Sequence, residues 1–418
     1  MICRGFWIAF AIDFVFLFKI ENYWLALISS FRFYLSLLFR VVISHMFNHY
    51  LLLFVCVEAF QPLQRKILLA FCYVVCPRVS SESVPPSWRD ERGEQPLERV
   101  YTNGYTLQET PITLNGNFHF HYYPQLPRLL NDFKPDIVHI DEEPYNAATW
   151  HALYHARRMG ARSLFFTWQN INRTYPPPFK WGESWVMNNV EAAIAGTQSA
   201  ADVYREKGFQ KPISVIPQFG TDPDLFHPPA EAEKAQRPFT IGYVGRLVEE
   251  KGLQYLLQAV ASLKADWQLH LVGSGPLRDS LQQTCQQLGI SQSVTFTEWM
   301  PSSEMPAMYR QFDALVLPSL TRPNWKEQFG RVLVEAMATG LAVVGSNSGA
   351  IPGVLGDAGL IVPEGNAEAI TGALQRLHDE AGLRQALADK GRERVLQHFT
   401  HASVAQATVD VYRSLLPS

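Results

Sequence analysis

The stretch Gly242-Tyr-Val-Gly245-Arg246-Leu-Val-Glu-Glu-Lys251-Gly252 joins a short apolar run to a helical one. Before it, Thr240–Val244 has the length and composition of a buried strand. After it, Leu253, Leu256, Leu257, Val260 and Leu263 recur at helical spacing. A strand delivered through glycines into a helix is the opening of a parallel crossover. Glycine lets backbone approach a ligand closely. Arg246 and Lys251 then stand at the mouth of the helix, where its dipole disfavours cations. A planar fork and a point charge together suit a diphosphate. The bland alternative is a solvated basic pair, and the electrostatic cost weighs against it.

The same alternation continues on both sides. Downstream, strands are expected at Gln268–Val272, Ser293–Phe296, Ala314–Leu317, Ala342–Gly345 and Leu360–Val362. Helices are expected at Ala367–His378, Ala381–His398 and Ser403–Leu415. Upstream, Asp136–Ile140, Ser163–Thr167, Ala192–Gly196 and Ile213–Pro217 read as strands, separated by helical stretches at Ala147–Met159, Trp181–Val190 and Ser199–Lys207. Phe219–Pro238 is dense in Pro, Asp and Glu without a sustained period and reads as a linker. The expected fold class is α/β, with two doubly wound Rossmann-like domains facing a cleft. Ligands in such sheets sit beyond the carboxyl ends of the strands, where the winding reverses. The expected division is 1–83, an atypical hydrophobic segment; 84–218, the first domain; 219–238, the linker; 239–398, the second domain; and 399–418, a C-terminal helix packing back on the first domain.

A chain of 418 residues suits two domains of middling size. A net charge of -3 argues against a general nucleic-acid binder, which carries a basic excess. Four of the five cysteines (Cys3, Cys56, Cys72, Cys76) fall early and Cys285 stands alone, which is neither a disulfide framework nor a zinc-ligand set. Residues 1–76 are rich in Phe, Leu, Ile and Tyr with scattered charges, and their longest uncharged run, Val41–Val57, carries His45, Asn48 and His49. A spanning helix needs about 20 mainly apolar residues. Three readings stay open for this segment: a membrane anchor, interfacial helices, or an N-terminus that is not the natural one.

Three further features of the second domain point to a phosphate-bearing ligand. Leu271-Val-Gly273-Ser-Gly275-Pro276 is another strand, glycine turn and helix start. Glu327-Gln-Phe329-Gly330-Arg331-Val-Leu-Val-Glu335 places one glutamate before a glycine and a second among Val332, Leu333, Val334 and Met337. An apolar setting rarely hosts an unpaired carboxylate, so Glu335 is either in a buried ion pair or accepts hydrogen bonds from ribose hydroxyls. Free backbone amides near Phe329, Gly330 and Arg331 suit an anion at a helix N-terminus. Gly345-Ser-Asn-Ser-Gly349-Ala350-Ile-Pro352 is a further strand-to-loop turn at the same sheet edge.

On these residues the segment from about Ile194 onward resembles the retaining GT-B glycosyltransferases of family 4, the glycosyl transferases group 1 type. Matching elements include Val215-Ile-Pro-Gln-Phe-Gly-Thr-Asp-Pro-Asp-Leu-Phe226, the Gly245-Arg246 to Lys251-Gly252 loop, Val316-Leu-Pro-Ser319, and the glutamates Glu327 and Glu335. A weaker match, with His139-Ile-Asp-Glu-Glu-Pro144, reaches back to about Pro85. The resemblance implies that residues 84–218 hold the acceptor and 239–398 a nucleotide-diphosphate sugar. It implies that Arg246 and Lys251 hold the diphosphate, Glu327 the sugar hydroxyls and Glu335 the ribose. It also implies a glycine-lined site at Gly245, Gly273 and Gly275. It implies a retaining hexosyl transfer without cofactor or metal, in which the donor phosphate takes the acceptor's proton. A carbohydrate or lipid-linked acceptor, no nucleic-acid partner, and a cytoplasmic location follow, with peripheral contact at an inner membrane left open. Asp222-Pro-Asp224 has the look of a metal site but reads as turn capping, and Asp141-Glu142-Glu143 as an acidic strand-end cluster facing the cleft.

Two departures stand out. Family members place a second histidine where this chain has Asp141, so Asp141 is expected to take its catalytic place, with His119 and His121 as alternatives. Family members also open with a strand, glycine loop and long helix. Lys66–Val75 could supply the strand, but Val79–Trp88 leaves no room for the helix, so residues before about Val84 read as a shifted frame or misplaced start. Two other functions are held beside transfer: a non-catalytic nucleotide-sugar binder with a damaged first domain, and a sugar-nucleotide epimerase of the same architecture.

Overall fold

The computed structural model describes residues 52–56, 80–90, 93–97, 106–229, 237–302 and 304–416. Two parallel sheets dominate. The first is built from β1 (Leu52–Cys56), β2 (Ser80–Val84), β5 (Thr106–Glu109), β6 (Ile137–Asp141), β7 (Arg162–Thr167), β8 (Ala192–Ala195) and β9 (Ile213–Val215). Its order is β5-β2-β1-β6-β7-β8-β9. The second holds β10 (Phe239–Val244), β11 (Trp267–Val272), β12 (Val294–Thr297), β13 (Ala314–Leu317), β14 (Ala342–Ser346) and β15 (Leu360–Val362), ordered β12-β11-β10-β13-β14-β15. A short antiparallel hairpin, β3 (Ser87–Asp90) with β4 (Gly93–Pro96), stands apart from both. Each parallel sheet is doubly wound, reversing between β1 and β6 in the first and between β10 and β13 in the second.

The expected second-sheet strands are found within a residue or two of their predicted bounds. They are legible because strands covered on both faces read as continuous apolar runs. Val138, Ile140, Ile241, Leu269, Leu271, Leu315 and Val343 are fully or almost fully buried. Helix Leu253–Ala261 buries Leu253, Leu256, Leu257, Ala259 and Val260 against the second sheet. Truncating any of these leucines to alanine would cost about 2–5 kcal/mol.

Upstream the structure corrects the sequence reading. β1 lies in the middle of the first sheet, with Leu53 opposite Ser81 on one side and Val138 on the other. The central strand is thus present, and the sheet extends upstream of the boundary drawn at 84. The reason it was missed is physical. Leu-Leu-Phe-Val-Cys belongs to a longer apolar run, and period alone does not separate a buried strand from a helical or membrane segment. The strand expected at Lys66–Val75 lies outside the described residues, as does the segment 1–76 expected to hold an anchor or interfacial helices, apart from residues 52–56, which form β1. Among the described residues, no helix is long and apolar enough to cross a membrane.

The C-terminal helix His401–Leu415 begins in a capping box, where Thr400 and Ser403 satisfy each other's backbone amides. It reaches the first sheet through Tyr412, whose hydroxyl lies 2.6 Å from His139 Nδ1. Burial pushes His139 down to about 3, so the imidazole is neutral. Thr221 also bridges to Thr400, which ties the segment after β9 to the start of the same helix. The described residues of both sheets fall in one compact unit, Leu51–Tyr73 with Pro77–Ser418.

Candidate active site between the two sheets

At the second sheet's reversal the two glycine turns interlock. Gly245 N donates to Val272 O (3.0 Å), Leu247 N to Ser274 O (2.9 Å) and Leu277 N to Leu247 O (3.1 Å). Gly273 has a φ of +140, and a Cβ there would lie 2.0 Å from Gly245 O, so only glycine lets the turns meet. Tyr243 OH donates to Arg246 O (2.7 Å) and fixes the loop from below. Burial pushes that phenol well above its ordinary range, with the nearby Glu327 carboxylate adding to the effect. Arg246 itself is 63% exposed and pairs with Glu250 at 3.1 Å. Its guanidinium is therefore available at the mouth of the site.

Lys251 and Glu327 come together. Lys251 Nζ lies 2.6 Å from Glu327 Oε2, and Ser319 Oγ donates to the same oxygen at 2.7 Å. The ammonium also sits 4.9 Å over the Trp325 ring. Ser319 follows β13, so the triplet stands beside the strand where the winding reverses. The fourth glycine turn closes on the same spot, because Ala350 N donates to Glu327 O (3.0 Å). A Cβ on Gly349 would lie 2.2 Å from that oxygen. All four sequence features thus share contacts through β10, β11 and the Glu327 loop.

Glu335 is only 4% exposed, and both its oxygens have protein partners. Oε1 accepts from Arg331 Nε at 2.7 Å and Oε2 from Tyr309 OH at 2.8 Å. The carboxylate raises Arg331 above its ordinary value, while burial and then Glu335 raise Tyr309. Of the two readings left open for Glu335, the buried ion pair is the one this geometry displays. Gly330, at φ +78, starts helix Arg331–Ala338 with no side-chain cap.

The two sheets face each other across a cavity of about 450 Å³. From the second sheet it takes Asn324, Trp325, Lys326, Gln328 and Phe329; from the first it takes Glu143, Tyr145, Trp168, Asn170, Arg173 and Tyr175. Hydrogen bonds cross it: Arg173 to Asn324 O at 2.8 Å, and Asn170 to the carbonyls of Lys326 and Glu327 at 3.4 Å. Of the residues predicted from sequence, Phe329 lines this space and Lys251 reaches it through Trp325.

Asp141 does not line it. Its two oxygens accept from Gln218 Nε2 at 2.8 and 3.0 Å, and Gln218 Oε1 in turn accepts from Trp168 Nε1 at 2.6 Å. Asp141 is therefore one layer behind the wall that Trp168 forms, and the acid that reaches the cavity is Glu143. His121 is buried, edge-on to Trp88 and 3.6 Å from Glu142. His119 packs among Phe118, Tyr145, Tyr175 and Phe179, with Nδ1 3.1 Å from Asn146 Oδ1. Asp222 does cap its turn, accepting from Asp224 N at 3.1 Å. Glu143 was read only as part of an acidic strand-end cluster facing the cleft, and Ser319, Trp325 and Tyr309 had no assigned role. The signal for Ser319 was present in Val316-Leu-Pro-Ser319; those for the others are tertiary.

Comparison with known proteins agrees with this layout. Residues 229–394 match the model of Glycosyl transferases group 1, and residues 73–224 that of Glycosyltransferase Family 4. The chain is similar to an uncharacterized glycosyltransferase of Methanocaldococcus jannaschii, 30% identical over 175 residues. That match covers 41% of the chain and only 44% of the relative's length. It is also similar to a lipopolysaccharide core biosynthesis glycosyltransferase, LpsD, of Rhizobium meliloti, 28% identical over 74% of the chain and 84% of that protein. Among solved structures, Anabaena HepE in complex with UDP and glucose shares the fold, with a TM-score of 0.63, 16% identity, and coverage of 88% of this chain and 100% of that one.

Proposed function

Because the chain belongs to the group 1 glycosyltransferases of the GT-B fold, we propose that it transfers a hexosyl group from a nucleotide-diphosphate sugar to a hydroxyl of a carbohydrate or lipid-linked acceptor, with retention of configuration. The observation that carries this reading is the Lys251–Glu327–Ser319 triplet beside the β10/β13 reversal, at the edge of the inter-sheet cavity.

The chemistry follows from charge. Breaking the anomeric bond leaves negative charge on the diphosphate. Preorganised cations aimed at developing charge are worth more in a desolvated site than in water. Arg246 at the mouth and Lys251 at the rim would supply that stabilisation, with no metal called upon. Lys251 is held by Glu327 and by the Trp325 face, so its position is set before a ligand arrives. Glu327 keeps an oxygen for sugar hydroxyls beyond the one shared by Lys251 and Ser319. Of the central strand–helix unit whose loss a non-catalytic binder presumes, the strand is present as β1, and the residues between β1 and β2 lie outside the described ones.

The test is thermal stabilisation by a panel of nucleotide-diphosphate sugars, beside Arg246→Ala and Glu335→Ala. A ligand at about a hundred times its Kd stabilises the native state by about 2.7 kcal/mol. One nucleotide is expected to raise the melting point of the wild type and to do less for Arg246→Ala. Equal stabilisation of Glu335→Ala would assign Glu335 to the Arg331–Tyr309 network rather than to ribose. A wild type that no nucleotide sugar stabilises would overturn the reading.

A further inference from the structure

The cavity between the sheets joins two kinds of surface. Its broad walls are aromatic: the rings of Tyr145 and Tyr175 lie 4.3 Å apart at 31°, Trp168 stacks on Phe219 at 16°, and Trp325 faces them from the second lobe. The C–H face of a sugar ring packs on such rings, and its hydroxyls pair with side-chain amides such as Asn170 and Gln328 in the same lining. The other surface is charged. Among the described residues that line the cavity, Arg173 and Lys326 are cations and Glu143 is the one carboxyl.

The two cations come from opposite lobes and are brought together by the bonds that cross the cavity. Arg173 Nη2 donates to Asn324 O at 2.8 Å, and Asn170 Nδ2 donates to Lys326 O at 3.4 Å. These bonds hold the backbone that carries Lys326 against the segment that carries Arg173. One nitrogen of the Arg173 fork is used in this way, and the rest of the fork stays available. Lys326 is half-buried, and among the described residues neither cation takes part in a salt bridge.

The carboxyl in the wall does not neutralise them. Glu143 Oε2 accepts from Thr167 Oγ1 and its Oε1 from Trp168 N, each at 2.7 Å, and among the described residues it takes part in no salt bridge. Burial, with Glu183 adding to it, pushes Glu143 up to about 7 against the pull of Thr167, Trp168 and Lys207. Near neutral pH it therefore carries only part of a charge. Its two neighbours in sequence are turned elsewhere, Asp141 to Gln218 and Glu142 to Asn146. The cations assigned to the donor are separate, since Arg246 pairs with Glu250 and Lys251 with Glu327. The cavity thus keeps an excess of positive charge beside walls that fit a sugar, and an arginine fork with a lysine point charge suits an oxyanion.

We propose that the acceptor is an acidic sugar, whose phosphate or carboxylate is held between Arg173 of the first lobe and Lys326 of the second. The inference names the substrate class of the transferase reading above and rests on that reading. The oxyanion takes the remaining N–H groups of the Arg173 fork and the Lys326 ammonium, while the ring rests on the aromatic wall. Because the two cations belong to different lobes, the anion adds a bond across the cleft that a neutral sugar does not make.

The test is binding, measured by calorimetry, of probes matched except for one acidic group. Glucose 6-phosphate and glucuronic acid are set against glucose, and myo-inositol 1-phosphate against myo-inositol, each with and without saturating nucleoside diphosphate. The wild type should bind at least one acidic probe about tenfold or more tighter than its neutral partner in both conditions. Arg173→Gln and Lys326→Met should each lose about tenfold or more for that acidic probe and nothing for the neutral one. Arg173→Lys keeps the charge without the fork and should recover part of the loss. Stabilisation by nucleoside diphosphate should hold in all three variants. Equal binding of acidic and neutral partners, or no binding of any acidic probe, overturns the proposal. So does a preference that vanishes when nucleoside diphosphate is added, because it then belongs to the donor site. Variants that weaken acidic and neutral probes alike overturn it as well. If no nucleotide sugar stabilises the wild type, it is the transferase reading that fails, and the arm without nucleotide still decides the cavity's preference.

Discussion

Replacing Glu143 by Gln should change stability in a pH-dependent way, with a sign that follows from the cavity wall. The folded protein holds this carboxyl at about 7, against an ordinary 4.5. The native state therefore binds the proton more tightly than the unfolded chain does. Below about pH 4.5 the group is protonated in both states and costs nothing. As pH rises from there toward 7 the unfolded chain ionises first, and stability is lost; above 7 the full penalty is present. At about 1.4 kcal/mol per tenfold change in proton affinity, the penalty is about 3 kcal/mol, and less to the extent that cavity water screens the partly buried residue. Glutamine is neutral throughout and fits the same bonds, its oxygen accepting from Trp168 N and its amide donating to Thr167 Oγ1. Thermal melts of the two proteins should thus coincide near pH 4.5 and separate as pH rises, with Glu143→Gln higher by on the order of 5 °C at pH 8. A pH-independent difference, or a variant less stable at pH 8, would refute an uncompensated carboxylate in the wall.

Lys251→Met keeps an apolar stem over Trp325 but removes the charge; it should lower kcat/KM by about 100-fold or more and weaken stabilisation by nucleoside diphosphates, measured by steady-state kinetics and thermal shift. Gly273→Ala puts a Cβ 2.0 Å from Gly245 O in a strained φ region and should cost roughly 2–5 kcal/mol, whereas Gly372→Ala, exposed within helix Ala367–Asp379 with nothing within 4 Å, should gain about 0.5–1 kcal/mol; urea unfolding separates the two. Tyr412→Phe removes the 2.6 Å contact with His139 and should cost about 1–3 kcal/mol, seen as a lower melting point without a change in donor KM.

The second lobe was legible almost strand for strand. Ala314–Leu317 and Leu360–Val362 occur at their predicted bounds, because glycine turns punctuate short apolar runs that have no other use. The first lobe was harder for reasons of composition. β1 hides inside a long apolar stretch. β5, Thr-Leu-Gln-Glu, is an edge strand with little apolar pattern, and helix Leu126–Phe133 buries only Leu126 and Leu130. Elements that bury little leave little periodicity to read.

The site divides along the same line. The pairing of Lys251 with Glu327 spans 76 positions, but that Gly245, Gly273, Lys251 and Glu327 stand in loops beyond strand ends was readable because such turns are a few residues long. The choice between Asp141 and Glu143 was not, because it is made by residues far along the chain. Asp141 is turned away from the cavity by Gln218, 77 positions later, and Glu143 is held toward it by Thr167 and Trp168, 24 and 25 positions later. Three consecutive acids at a strand end look equivalent in sequence. What distinguishes them is which one the neighbouring strand's first loop residues can bond without supplying a cation, and that is settled only when β6 and β7 pair.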